Sequence, residues 1–114
     1  MRFGSAGEGL ASLSFAAGSG GDTLDGGDGD DGLWGGDDAD RLAGAIGDDG
    51  LTGGSGDDTL NGGHGADVIN GGAGDDIIAG WGGNDIIHAG GGSNRVFGGD
   101  GNDLIDSRYL TRTD

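Results

Sequence analysis

The sequence predicts an all-β repeat stack, with short strands joined by glycine-rich turns. The first ground is register: from Ala17 to Asp106 the chain divides into ten consecutive nonapeptides with no insertion or deletion. The second is an aliphatic residue at the eighth position of all ten: Leu24, Leu33, Leu42, Leu51, Leu60, Ile69, Ile78, Ile87, Val96 and Ile105. The third is the chemistry of the preceding positions. Position four is Gly in nine repeats, with Asp38 the exception, and position six is Asp in nine, with Asn94 the exception. High charge with few large apolar residues also fits a disordered chain. Disordered low-complexity sequence keeps composition but not register, so the register decides against it.

Composition narrows the classes. A chain of 114 residues makes one domain at most. Glycine contributes 33 residues and proline none, which excludes collagen. There are 21 acidic residues against 5 basic, a net charge of -16, and every acid but Glu8 is Asp. A solvated acidic helix would favour Glu and Lys, and Lys is absent. Asp instead holds an oxygen close to a turn. Such charge repels phosphate backbones and anionic lipid, so neither nucleic acid nor a membrane is an expected partner. Multivalent cations are the natural counterpart. With no cysteine there are no disulfides or thiolate metal sites. No apolar run is long enough to span a membrane. The segment GLASLSFAAG is short, broken by glycine and preceded by Glu8, which argues against a signal peptide.

The repeats read AGSGGDTLD, GGDGDDGLW, GGDDADRLA, GAIGDDGLT, GGSGDDTLN, GGHGADVIN, GGAGDDIIA, GWGGNDIIH, AGGGSNRVF and GGDGNDLID. This pattern, G-G-x-G-x-D-x-U-x with U a large aliphatic residue, resembles the repeat-in-toxin (RTX) family. One such nonapeptide would be weak, but ten in register over residues 17–106 are specific. The resemblance implies a right-handed parallel β-roll in which two repeats make one turn. Each repeat would give a six-residue calcium turn and then a three-residue strand, about five turns in all. Residues 1–16 then form a lead-in or cap and 107–114 a C-terminal tail.

The residue types suit that ligand. Glycine reaches positive φ without steric cost, so the chain can curl and point carbonyl oxygens to one side. Ca²⁺ is a hard cation that takes 6–8 oxygens in flexible geometry. One Asp and the carbonyls of its turn fill only part of that shell, so a neighbouring turn must complete it. With two repeats per turn, candidate side-chain ligands fall in two columns at 18-residue spacing. One is Asp22, Asp40, Asp58, Asp76 and Asn94; the other is Asp31, Asp49, Asp67, Asp85 and Asp103. Backbone carbonyls of turn residues such as Gly26, Gly27, Gly29, Gly53, Gly54, Gly56, Gly62, Gly63, Gly65, Gly71, Gly72 and Gly74 would add to them. Four gaps per column give at most about eight ions, whose charge would match the formal -16. Asn94 carries no charge, so its gap should bind more weakly. In the strand, alternation puts position eight inward and its neighbours outward. The core is thin for its length, so metal binding and folding should be one event.

Other signals fail on context. Gly27–Gly32 reads G-x-G-x-x-G, but its aspartates would repel pyrophosphate. The DGDDG at Asp28–Gly32 lacks the Glu that closes an EF-hand loop. His64 and His88 fall at different repeat positions, which argues against zinc. Three departures from the consensus stand out. Ala45 and Trp81 replace glycine at position two and read as local accommodation, and Asp38 at position four reads as a differently shaped or weakened turn. At position seven one face carries Thr23, Arg41, Thr59, Ile77 and Arg95. The other carries Gly32, Gly50, Val68, Ile86 and Leu104. The apolar ladder Val68–Ile86–Leu104 is a candidate surface for self-association or domain contact, or is covered by the Tyr109–Leu110 tail.

The expected function is a non-enzymatic Ca²⁺-binding module that folds on binding calcium. The resemblance implies that it belongs to a secreted bacterial protein, exported by type I secretion and acting extracellularly. The alternatives are a polysaccharide-binding or adhesion module, or an accessory domain of a secreted enzyme whose catalytic domain lies elsewhere.

Overall fold

A computed structural model of the protein describes residues 14–106 and 112–113. Twelve strands are β1 (Ser14–Gly18), β2 (Thr23–Asp25), β3 (Gly32–Gly36), β4 (Arg41–Ile46), β5 (Gly50–Ser55), β6 (Thr59–His64), β7 (Val68–Ala73), β8 (Ile77–Trp81), β9 (Ile86–His88), β10 (Arg95–Phe97), β11 (Leu104–Asp106) and β12 (Arg112–Thr113). The odd strands form one six-stranded sheet in the order β1-β3-β5-β7-β9-β11, and the even strands form the other, β12-β10-β8-β6-β4-β2. Every pairing is parallel. The chain thus crosses from one sheet to the other at each turn, as a parallel β-solenoid of stacked coils requires.

The register is the one that a two-repeat turn demands. Leu42 pairs with Leu60 and Leu60 with Ile78 in one sheet; Leu51 pairs with Ile69 and Ile69 with Ile87 in the other. Each step is 18 residues, so one repeat position lies above itself along the stack. The alternating strand sends position eight inward, and these aliphatics from both sheets make a single core. Ile105 and Ala17 pack at its margin. The core holds about one large side chain per repeat.

Two features differ from the expected anatomy. The central strands run six residues rather than three, over positions seven to nine and on through positions one to three of the next repeat. Glycine made positions one to three read as turn, yet they stay in the ladder; Gly54 pairs with Gly72, for example. The turn proper shrinks to positions four to six. The stack also takes in Ser14–Gly18, where Phe15 pairs with Leu33, and Arg112–Thr113, where Arg112 pairs with Arg95. Phe15 stands nine residues before Leu24, in phase with the aliphatic column.

Positive φ recurs at positions two and four of every repeat, and three non-glycine residues adopt it: Asp38 (φ 76), Ala45 (φ 78) and Trp81 (φ 72). They are the three departures singled out from sequence. Asp38 therefore keeps the ordinary turn conformation instead of reshaping it. Asp tolerates the left-handed region better than most residues, and its Oδ2 accepts the N–H of Gly20 at 2.7 Å. Trp81 is held by its indole N–H, which donates to Asn61 Oδ1 at 2.6 Å.

A candidate calcium site in two columns

Position six sits at the end of the turn, just before the strand. There the inward-facing side chain is trapped between consecutive coils. Asp22, Asp31, Asp40, Asp49, Asp58, Asp67, Asp76, Asp85 and Asn94 are all buried, none more than 4 % exposed. Asp103, in the last coil of its column, is half-buried. The two predicted columns are therefore assembled as two rows of side chains along the stack.

Within a row, one carboxylate oxygen is committed. Oδ1 of each residue accepts the backbone N–H of the position-six residue one coil earlier: Asp22 to Asp40, Asp40 to Asp58, Asp58 to Asp76 and Asp76 to Asn94, at 2.7–2.8 Å. The second column repeats this from Asp31 through Asp49, Asp67 and Asp85 to Asp103, at 2.7–2.9 Å. All eight gaps between coils are bridged this way.

The other oxygen has no such role. Oδ2 of Asp40, Asp49, Asp58, Asp67, Asp76 and Asp85 is buried without a hydrogen-bond partner. A buried carboxylate oxygen left so is costly. Burial accordingly raises these carboxyls, and neighbouring carboxylates add to the effect while the backbone N–H opposes it. The pKa is pushed up to about 6 for Asp49, Asp58 and Asp76 and to about 7 for Asp67; Asp40 and Asp85 are also raised.

The surroundings of Oδ2 are oxygen-rich. A methyl on Gly35 would come within 2.5 Å of Asp40 Oδ2 and 2.8 Å of the Gly53 carbonyl in the next coil. At Gly44 the pair is Asp49 Oδ2 at 2.5 Å and the Gly62 carbonyl at 2.7 Å. Position one must be small there, because a carboxylate oxygen and a carbonyl from the next coil converge on it. Among the described residues no group of three or more His, Cys, Asp or Glu side chains could hold a metal ion. A cation would have to draw on backbone carbonyls together with single carboxylate oxygens. This all-oxygen donor set fits Ca²⁺ and not a transition metal.

Sequence reading missed two parts of this arrangement. At position five, side chains form a second ladder of opposite polarity. Asp30, Asp48, Asp57, Asp75 and Asn84 each accept through Oδ1 the N–H of the position-five residue one coil later, at 2.7–2.8 Å. The recurrent Asp or Asn at position five was the available signal. Second, the carbonyl of position three was not among the expected oxygens, yet Gly91 turns its carbonyl to the Asn94 amide beside those of Ala89 and Gly90. The side chain at position three varies freely, so its backbone role leaves no trace in sequence.

A parallel solenoid with an 18-residue coil and buried aspartate rows defines a repeat module built to hold cations. The family model of the RTX calcium-binding nonapeptide repeat matches residues 17–51, 52–87 and 80–107. The chain belongs to that family and is a Ca²⁺-binding β-roll. No curated protein and no solved structure matches it.

Proposed function

We propose that this chain is a non-catalytic module that calcium switches from an unfolded to a folded state, within a protein that works outside the cell. The observation that carries the reading is the row of buried Asp Oδ2 atoms without hydrogen-bond partners. Each is a site where the coil is unfavourable until a positive charge arrives. Bound calcium would supply that charge, and Asp Oδ2 and the carbonyl of the next coil that converge near position one are the oxygens that would hold it. The residues proposed to hold it are Asp22, Asp31, Asp40, Asp49, Asp58, Asp67, Asp76, Asp85 and Asp103, with the carbonyls of their turns. The thin core cannot hold such rows of repelling carboxylates together at neutral pH, so ion binding and folding are coupled. Each coil contacts its neighbours alone, and the transition should propagate along the stack.

Cellular calcium gradients make this useful. A chain that stays unfolded where calcium is scarce can be threaded through an export channel, then fold where calcium is abundant. The family's usual secretion supports this setting, and among the described residues no helix is long and apolar enough to cross a membrane. The test is circular dichroism during a Ca²⁺ titration. A steep gain of β-signal is expected near the range of extracellular modules, about 10⁻⁴–10⁻³ M, with Mg²⁺ a poor substitute. A complete β-signal in excess chelator at neutral pH would refute the coupling.

A further inference from the structure

The two columns are not uniform. Asn94 ends the even-strand column and keeps half of what the aspartates do: its Oδ1 accepts the Asp76 N–H at 2.7 Å, continuing the ladder. The other half is inverted. Its Nδ2 donates to the carbonyls of Ala89, Gly90 and Gly91 at 3.2, 3.3 and 3.1 Å. Two N–H groups are shared among three carbonyls, a bifurcated arrangement. The orientation of the amide follows from its partners, since a flip would set oxygen against three carbonyls and nitrogen against an N–H.

The aspartates place Oδ2, an acceptor, where Asn94 places a donor. At Asn94 the carbonyls of positions one, two and three turn toward that point. An oxygen facing the same carbonyls needs a cation between them; an NH₂ group does not. We infer that the Asn94 amide replaces an ion: the turn 89–94 is closed by protein alone and takes no calcium, while the aspartate turns wait for theirs. Asn94 is then no weak ligand but a built-in substitute for the metal. Its repeat also carries Ala89 at position one, with its methyl buried in the core. Most other coils have glycine there, beside the carboxylate. The inference rests on the reading that position-six carboxylates hold calcium.

Calcium bound per chain at saturation tests it, for the parent protein and for the double variant Ala89→Gly with Asn94→Asp, which restores the consensus. One additional calcium per chain is expected in the double variant. An equal count in a folded double variant would overturn the inference while leaving the calcium module intact. A parent that binds no calcium would refute the earlier reading and this one with it. The parent also supplies a test that needs no variant. In the calcium-loaded protein the Asn94 side-chain NH₂ should exchange with solvent at least tenfold more slowly than that of the exposed Asn84 or Asn102. Exchange at the rate of those exposed amides would show that it is not clamped and would overturn the proposal.

Discussion

Asp40, Asp49, Asp58, Asp67, Asp76 and Asp85 divide their oxygens, Oδ1 accepting a backbone N–H in the adjacent coil and Oδ2 left for the proposed ion. Asp67 does both in the middle of its column, whereas Asp57 lies exposed at position five and accepts a single N–H from Asp75. Asp67→Ala should therefore move the Ca²⁺ midpoint for folding to markedly higher concentration. Asp57→Ala should cost about 0.5–1.5 kcal/mol, the net worth of one hydrogen bond. Equal midpoint shifts in a Ca²⁺ titration would contradict the two roles. The raised carboxyls add a pH dependence. In the metal-free roll they titrate near 6 to 7, against an ordinary value of 3.8. The folded form thus binds more protons than the unfolded one. This contribution to stability is fully present below about pH 4 and is lost as pH rises through 6 to 7. In chelator, lowering the pH from 7.5 to 4.5 should raise the β-signal. With calcium present the same protons compete with the ion, so the Ca²⁺ midpoint should rise on acidification from 7 to 5. A chelated β-signal that is flat or falls over that range would show the carboxyls are not buried as described. The position-six residues were legible from spacing alone. The split between their two oxygens was not, because it depends on which backbone N–H faces them.

The strand is where reading glycine as a turn residue fell short. In β4 to β7 the ladder runs on through positions one to three, so glycine serves here for close approach as much as for bending. At Gly63 both reasons operate: its φ is 94, and a Cβ there would collide with the carbonyl of Ala45 in the preceding coil. Ala45 sits at the same repeat position with φ 78 and keeps its methyl. A left-handed conformation costs a non-glycine residue about 1–2 kcal/mol, part of which glycine's greater unfolded freedom would offset. Ala45→Gly should stabilise the calcium-loaded roll by up to about 1 kcal/mol. Gly63→Ala should destabilise it by more, since collision adds to the strain. Denaturant melts in saturating Ca²⁺ measure both. A destabilised Ala45→Gly would mean that its methyl contributes packing that outweighs the strain. Positive φ was foreseeable at glycines; that Asp38, Ala45 and Trp81 would hold it too was not, because side chains usually forbid it.

Across the whole molecule, charge and apolar surface act together. A net charge of -16 opposes the approach of two copies of the metal-free chain, and each bound calcium ion would lower that barrier. The roll shows the expected ladder: Val68 pairs with Ile86 and Ile86 with Leu104 on one sheet, and they are 46, 40 and 64 % exposed. The Tyr109–Leu110 segment, expected as one possible cover, lies outside the described residues. The other sheet is less polar than its position-seven residues alone imply, because Ile46 and Trp81 are exposed there besides Ile77. Its row is nevertheless bounded by Arg41 and Arg95, and the Arg95 guanidinium stands 5.6 Å from the centre of the Phe97 ring. Two copies meeting through that face would have to desolvate like charges, whereas the position-seven row of the ladder face offers three adjacent aliphatics with no charge among them, Asp106 lying to one side against His88 at 3.5 Å. Association through the ladder should therefore appear only with calcium and should be abolished by Ile86→Lys, which leaves the inward Ile87 and the buried Asp85 in place. Ile77→Lys, the matched change on the opposite sheet, should leave it unaltered. Sedimentation of the three proteins in saturating Ca²⁺ and in chelator decides the matter. A parent that remains monomeric with calcium would reduce the ladder to ordinary strand formers, and equal effects of the two lysines would place the contact elsewhere, for instance at the unpaired edges of the end coils.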